Sequence, residues 1–139
     1  MRRPPGVSTV LFACVHNAGR SQMAAALFNA LADRSHATAV SAGTRPLAHV
    51  HPEVVQAMRE VGIDVSGSTP RLLTAELASQ ATLLVTMGCG EECPFFPGAR
   101  REDWPLDDPK GRPIEEVRRI RDEIRTRVLN LLHAEGWEP

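Results

Sequence analysis

The chain has 139 residues, 42% of them hydrophobic and 24% charged, with ten glycines and eleven prolines. That composition fits one small domain spanning residues 1–139 that buries a core without disulfide staples, and it excludes collagen-like and disordered chains. Sixteen basic residues against seventeen acidic leave a net charge of −1, so bulk charge supplies no nucleic-acid surface and any anion site must be local.

Arg2 and Arg3 followed by an apolar stretch ending at Cys14 imitate a lipoprotein leader. Pro4-Pro5-Gly6 and the polar pair Ser8-Thr9 interrupt that pattern, and no apolar run approaches the roughly 18 to 20 residues a membrane span needs. Three cysteines, an odd number, argue against a paired secretory framework and for reactive thiols in a reducing compartment. A cytoplasmic protein without membrane attachment is expected.

The β-branched and apolar run Ser8 to Val15 predicts a buried strand. From Ser21 to about Ala32 the residues Met23, Leu27, Ala30 and Leu31 share one helical face. Thr38 to Ser41 predicts a second strand. Pro52 then opens a helix carrying Val54, Val55, Met58 and Val61, which Gly62 stops. Ser66 to Arg71 reads as loop, Leu72 to Ala78 as one or two helical turns, and Ala81 to Met87 as a third strand. Residues 88–113 hold five prolines and no periodic pattern, and a long irregular segment in a compact domain is usually functional. Ile114, Val117, Ile120, Ile124, Val128 and Leu131 then mark an amphipathic helix of about five turns. Strands alternating with helices predict an α/β fold, a three-layer doubly wound parallel sheet whose ligand lies beyond the carboxyl ends of the strands.

The segment Cys14-Val15-His16-Asn17-Ala18-Gly19-Arg20-Ser21 stands at such a strand end, just before a helix. Five residues between Cys14 and Arg20 let the backbone curl so that several N–H groups point inward, and the helix start adds partial positive charge. Such a loop cradles a tetrahedral oxyanion through Val15 to Ser21. The planar fork of Arg20 can bind two of its oxygens, and the cradle favours Cys14 as a thiolate nucleophile. Asn17 would hold the loop's curvature and Ser21 would donate to the sulfur, although both could equally be ordinary turn and cap residues. His16 reads as a loop residue. His36, His49, His51 and His133 show no ligand spacing and read as surface or loop positions. Trp104 and the pair Phe95-Phe96 are expected to pack the long irregular segment onto the domain.

This octapeptide resembles the phosphate-binding loop of the low-molecular-weight protein tyrosine phosphatase family, and the resemblance covers nearly the whole chain. Ser41-Ala42-Gly43-Thr44, Val61-Gly62-Ile63-Asp64-Val65-Ser66 and Val85-Thr86-Met87 look like that family's successive landmarks. The resemblance implies that Asp108, directly before Pro109, is the general acid, with Asp107 a solvated neighbour. Family phosphatases usually carry aromatic residues after this Asp-Pro pair. Here Lys110-Gly111 follows, and the chain has no tyrosine.

Cys89 and Cys93, followed by Pro94 and later by Asp103-Trp104, are similar instead to the thioredoxin-coupled arsenate reductases of that family. The likeness implies reduction of arsenate to arsenite by a relay of three thiols, with Cys14, Arg20, Asp108, Cys89 and Cys93 catalytic. Phosphate and sulfate would compete as oxyanions. No cofactor is bound on this reading. Electrons come from thioredoxin or from a low-molecular-weight thiol such as mycothiol or glutathione, and the protein is a monomer. Family members separate the last two cysteines more widely than the three residues Gly90-Glu91-Glu92 found here, a spacing that still permits a disulfide.

Three other readings compete. A tyrosine phosphatase would use the same loop. A metal site could draw on Cys89, Cys93 and either Cys14 or His16, but the cysteine spacing exceeds the usual two-residue clasp and a nucleophile is a poor structural ligand, so no metal is expected. A non-catalytic oxyanion or arsenite sensor would need the loop but not Asp108.

Overall fold

The computed structural model describes residues 6–88 and 98–139. Chain order is β1 (Ser8–Cys14), α1 (Arg20–Leu31), β2 (Ala37–Gly43), α2 (Pro52–Arg59), α3 (Ala75–Ser79), β3 (Leu83–Thr86), β4 (Arg100–Asp103) and α4 (Ile114–Glu135). The four strands form one parallel sheet in the order β2-β1-β3-β4.

Strand alternation sorts the core into two layers of side chains. Val10 and Phe12 of β1, with Leu83 and Val85 of β3, face a cluster built from α1, α2 and α4. Leu11 and Ala13, with Leu84 and Ala42, face the opposite side, where Ala78 of α3 and Leu73 cover them. The outcome is the three-layer α/β arrangement expected. Phe12 is fully buried between Phe28 and Trp104, with ring centroids 6.0 and 5.4 Å away, and burying a side chain of that size contributes roughly 1.5–3 kcal/mol. Trp104 thus packs onto the domain as expected. Phe95 and Phe96 lie outside the described residues.

Several boundaries differ from the sequence reading. Residues 100–103 form a strand inside the segment read as irregular. Arg-Arg-Glu-Asp lacks apolar alternation because β4 is an edge strand with little of its surface in the core. The predicted turns from Leu72 begin later. Leu72 pairs with Gly43, Leu73 donates to the Gly43 carbonyl at 2.8 Å, and Thr74 caps the helix by accepting from the Leu77 amide at 3.0 Å. Val61 lies beyond the end of α2 and is exposed, in a turn that Gly62 closes at φ 81°. The last helix is six turns rather than five, ending at Gly136 in the left-handed conformation.

The order β2-β1-β3-β4 fixes where a ligand can sit. The chain leaves β1 to one side to build β2 and to the other to build β3, so the topology reverses at β1. A crevice opens beyond the carboxyl end of the strand at such a point. Cys14 is the last residue of β1.

Candidate functional site

Beyond Cys14 the backbone curls into a loop whose carbonyls are turned outward. The carbonyls of Cys14, Val15, His16 and Ala18 accept from the amides of Thr44, Arg45, Leu47 and His51, at 3.2, 2.8, 3.1 and 2.9 Å. Asn17 O accepts from Gln22 Nε2 at 3.1 Å, and Gly19 O from the Met23 amide at 3.0 Å. The peptides among the described residues are all trans, and a trans peptide points its N–H away from its carbonyl. The N–H groups of residues 15–20 are thereby directed to the concave side, at the N-terminus of the twelve-residue α1. This is a nest for an anion. Gly43 permits the close approach, since a Cβ there would stand 2.6 Å from the Val15 carbonyl oxygen.

Among the described residues, Asn17 is the only non-glycine with positive φ, at 50°. Asparagine tolerates the left-handed region because its short amide can bond locally, and here it does so three ways. Its Nδ2 donates to Ser21 Oγ at 2.7 Å, while its Oδ1 accepts from Gln22 Nε2 at 3.2 Å and from the Arg71 amide at 3.0 Å. Asn17 is fully buried. The turn-residue reading is therefore too weak: this side chain joins the loop to α1 and to the segment before Leu72.

Cys14 is 2% exposed, and its Sγ lies 2.8 Å from Ser21 Oγ. Ser21 Oγ also accepts from Asn17, and a Cys14 thiolate, having no proton to give, would take the Ser21 proton, so Asn17, Ser21 and Cys14 form one hydrogen-bonded chain. Arg20 enters from the start of α1. Its Nη1 donates to the Leu106 carbonyl at 3.1 Å, and its Nη2 is 3.8 Å from Asp108 Oδ2. Asp108 shapes its own turn by accepting from the Lys110 amide at 3.0 Å, and its carboxylate is 46% exposed. Asp107 points elsewhere, pairing with Arg119 at 2.9 Å, so of the two carboxylates only Asp108 meets Arg20. Pro109 packs against Gly19, where a Cβ would meet Pro109 Cγ at 2.8 Å. Cys14, the loop, Arg20 and Asp108 are therefore in one place. Cys89 and Cys93 lie outside the described residues.

His51 lies in the loop before α2, within the surface-or-loop reading, but its side chain is turned inward. Its side chain is 11% exposed, its amide holds the Ala18 carbonyl, and its ring faces Gly19 beside Pro109. Burial pushes this imidazole below its ordinary range, with Lys110 and His16 in the same direction and Glu53 and Asp108 against it. No local pattern could have revealed it, because the approach is made across the fold. Val15 and His16 contribute backbone to the loop. The described residues hold no cluster of three metal-ligating side chains, and none of their helices is long and apolar enough to cross a membrane.

Known proteins share this architecture. A relative from Halobacterium salinarum, named for arsenate reduction, is 40% identical over 124 residues, covering 86% of this chain and 87% of its own. The Corynebacterium glutamicum thioredoxin-dependent arsenate reductase aligns at 38% identity and a TM-score of 0.79, covering 94% of this chain, which spans 62% of that longer one. The arsenate reductase from Archaeoglobus fulgidus aligns at 33% identity and a TM-score of 0.76, covering 89% of this chain and 98% of its own. Residues 9–136 match the family of low molecular weight phosphotyrosine protein phosphatases, and the chain belongs to that family.

Proposed function

We propose that the protein is an arsenate reductase, a single domain in which Cys14 is the nucleophile. The observation that carries this reading is the Cys14 sulfur beside the Ser21 hydroxyl, at the floor of a loop whose carbonyls all point away from it. Arsenate seats its oxygens on the N–H groups of Val15 to Arg20 and on the Arg20 guanidinium. The Cys14 thiolate attacks arsenic, and Asp108 gives its proton to the departing oxygen, which leaves as water. Cys89 then attacks the Cys14 sulfur. A sulfur–sulfur bond forms, the sulfur–arsenic bond breaks, and its electron pair stays on arsenic, which leaves as arsenite, reduced by two electrons. Cys93 next attacks Cys89, freeing Cys14 and leaving a Cys89–Cys93 disulfide.

The relatives' names support arsenate as substrate, and the Corynebacterium protein's name supports thioredoxin as the dithiol that reduces the final disulfide. Gly88 gives further support. It packs against Arg20, so the residue before Cys89 stands beside the oxyanion loop. A cytoplasmic monomer that binds phosphate and sulfate as competing anions, with no resident cofactor or metal, completes the proposal.

The test follows NADPH oxidation through thioredoxin reductase and thioredoxin with arsenate, beside hydrolysis of an aryl phosphate. Arsenite formed in step with NADPH consumed supports the proposal. Rapid aryl phosphate hydrolysis without arsenate turnover under any thiol donor would make the protein a phosphatase.

A further inference from the structure

Asp108 must be held over the loop to deliver a proton, and the turn that carries it is anchored by buried Leu106 and by the Asp107–Arg119 pair. Arg20 meets the Leu106 carbonyl and the Asp108 carboxylate, and Pro109 rests on Gly19. The third body at this junction is His51. With a Cβ built on Gly19, its nearest neighbours would be Pro109 at 2.8 and 3.4 Å and His51 Cδ2 at 3.5 Å, so ring and proline meet the same bare backbone. The backbone that carries the ring is held to the loop by the His51 amide, which donates to the Ala18 carbonyl at 2.9 Å. His51 also occupies the N-cap of α2, a place that favours Ser, Thr, Asn or Asp, and its side chain makes no capping bond.

We propose that His51 is a positioning residue for Asp108: its ring, packed with Pro109 against Gly19, seats the acid turn over the oxyanion loop. The inference rests on the role assigned to Asp108 above. The charged and titratable groups facing the ring are Glu53 of α2, with Oε1 4.0 Å from Nδ1, Asp108 and Lys110 of the acid turn, and His16 of the loop. Burial keeps the ring neutral through the neutral range. A proton gained in acid turns it into a cation that competes with the oxyanion for Asp108.

The experiment measures kcat and KM against pH, for arsenate and for an aryl phosphate, in wild type, His51→Ala and His51→Phe. His51→Ala should lower kcat about tenfold or more with KM little changed, since misplacing an acid slows proton transfer without emptying the loop. His51→Phe, a flat ring that cannot titrate, should recover most of kcat and hold it to lower pH than wild type. An unchanged kcat in His51→Ala, or equal losses in both variants with KM rising in parallel, would overturn the inference. The aryl phosphate arm reads His51 even where arsenate reduction fails, because its leaving oxygen needs the same proton. Wild-type kcat in Asp108→Asn would instead overturn the reading on which the inference rests.

Discussion

Gly88 and the Arg20 guanidinium are packed so closely that a Cβ at position 88 would overlap Nη1. Gly88 also has φ 88°, a conformation that L side chains rarely adopt. Gly88→Ala is therefore expected to displace Arg20 from the Leu106 carbonyl and lower kcat/KM for arsenate by about 100-fold, the scale of a 1 Å misplacement. Steady-state kinetics beside far-UV circular dichroism checks this. Folded protein with wild-type kcat/KM would show that Arg20 tolerates the intrusion.

Ser21 accepts from Asn17 and shares a hydrogen bond with the Cys14 sulfur, so Ser21→Ala removes a bond made to that sulfur. Single-turnover arsenate reduction should slow by about tenfold or more while competitive inhibition by phosphate stays near wild type, because the anion is held by backbone and Arg20. Equal losses of rate and of phosphate affinity would place Ser21 in binding instead.

Asn17 carries two separable duties, the left-handed backbone and the amide bonds to Ser21, Gln22 and Arg71. Glycine keeps the first and loses the second, whereas alanine loses both. Urea unfolding should find Asn17→Ala less stable than Asn17→Gly by about 1 kcal/mol, the cost of a left-handed residue with a Cβ. Both should be similarly slow on arsenate. Full activity in Asn17→Gly would mean that backbone shape alone sustains the loop.

Much of this arrangement could be read from the sequence because it is local. The spacing from Cys14 to Ser21, the apolar run of β1 and the periodicity of α4 each lie within one continuous segment, and the structure keeps them nearly in register. What stayed hidden depends on neighbours distant in the chain. β4 exists because β3 offers it an edge, which Arg100 to Asp103 do not announce. Leu72 is extended rather than helical because Gly43 pairs with it. His51 meets Gly19 only after α2 has packed, and Arg71 reaches Asn17 across 54 positions.

Glu60 ties α2 to α4. It accepts from Arg118 at 2.7 Å and from Arg121 at 3.0 Å, and the Arg118 hydrogen bond, ahead of the other causes, holds its carboxyl below the ordinary glutamate range. A carboxyl lowered by folding stabilises the fold above its unfolded value, and that contribution disappears as pH falls through the folded value. Glu60→Gln should therefore be less stable than wild type at pH 7, with the gap closing below about pH 4.5. Thermal melts across pH 3–7 check this, and a gap that widened in acid would contradict it.

The central claim is that three thiols act in sequence. Arsenite production driven by thioredoxin, thioredoxin reductase and NADPH should be measured in wild type, Cys14→Ser, Cys89→Ser and Cys93→Ser, with disulfides mapped after one turnover. The relay predicts that all three variants lose steady turnover. Cys93→Ser should stop as a Cys14–Cys89 disulfide after releasing one arsenite, and Cys14→Ser should release none. Sustained turnover in Cys89→Ser and Cys93→Ser, needing only Cys14 and a small thiol, would contradict the relay.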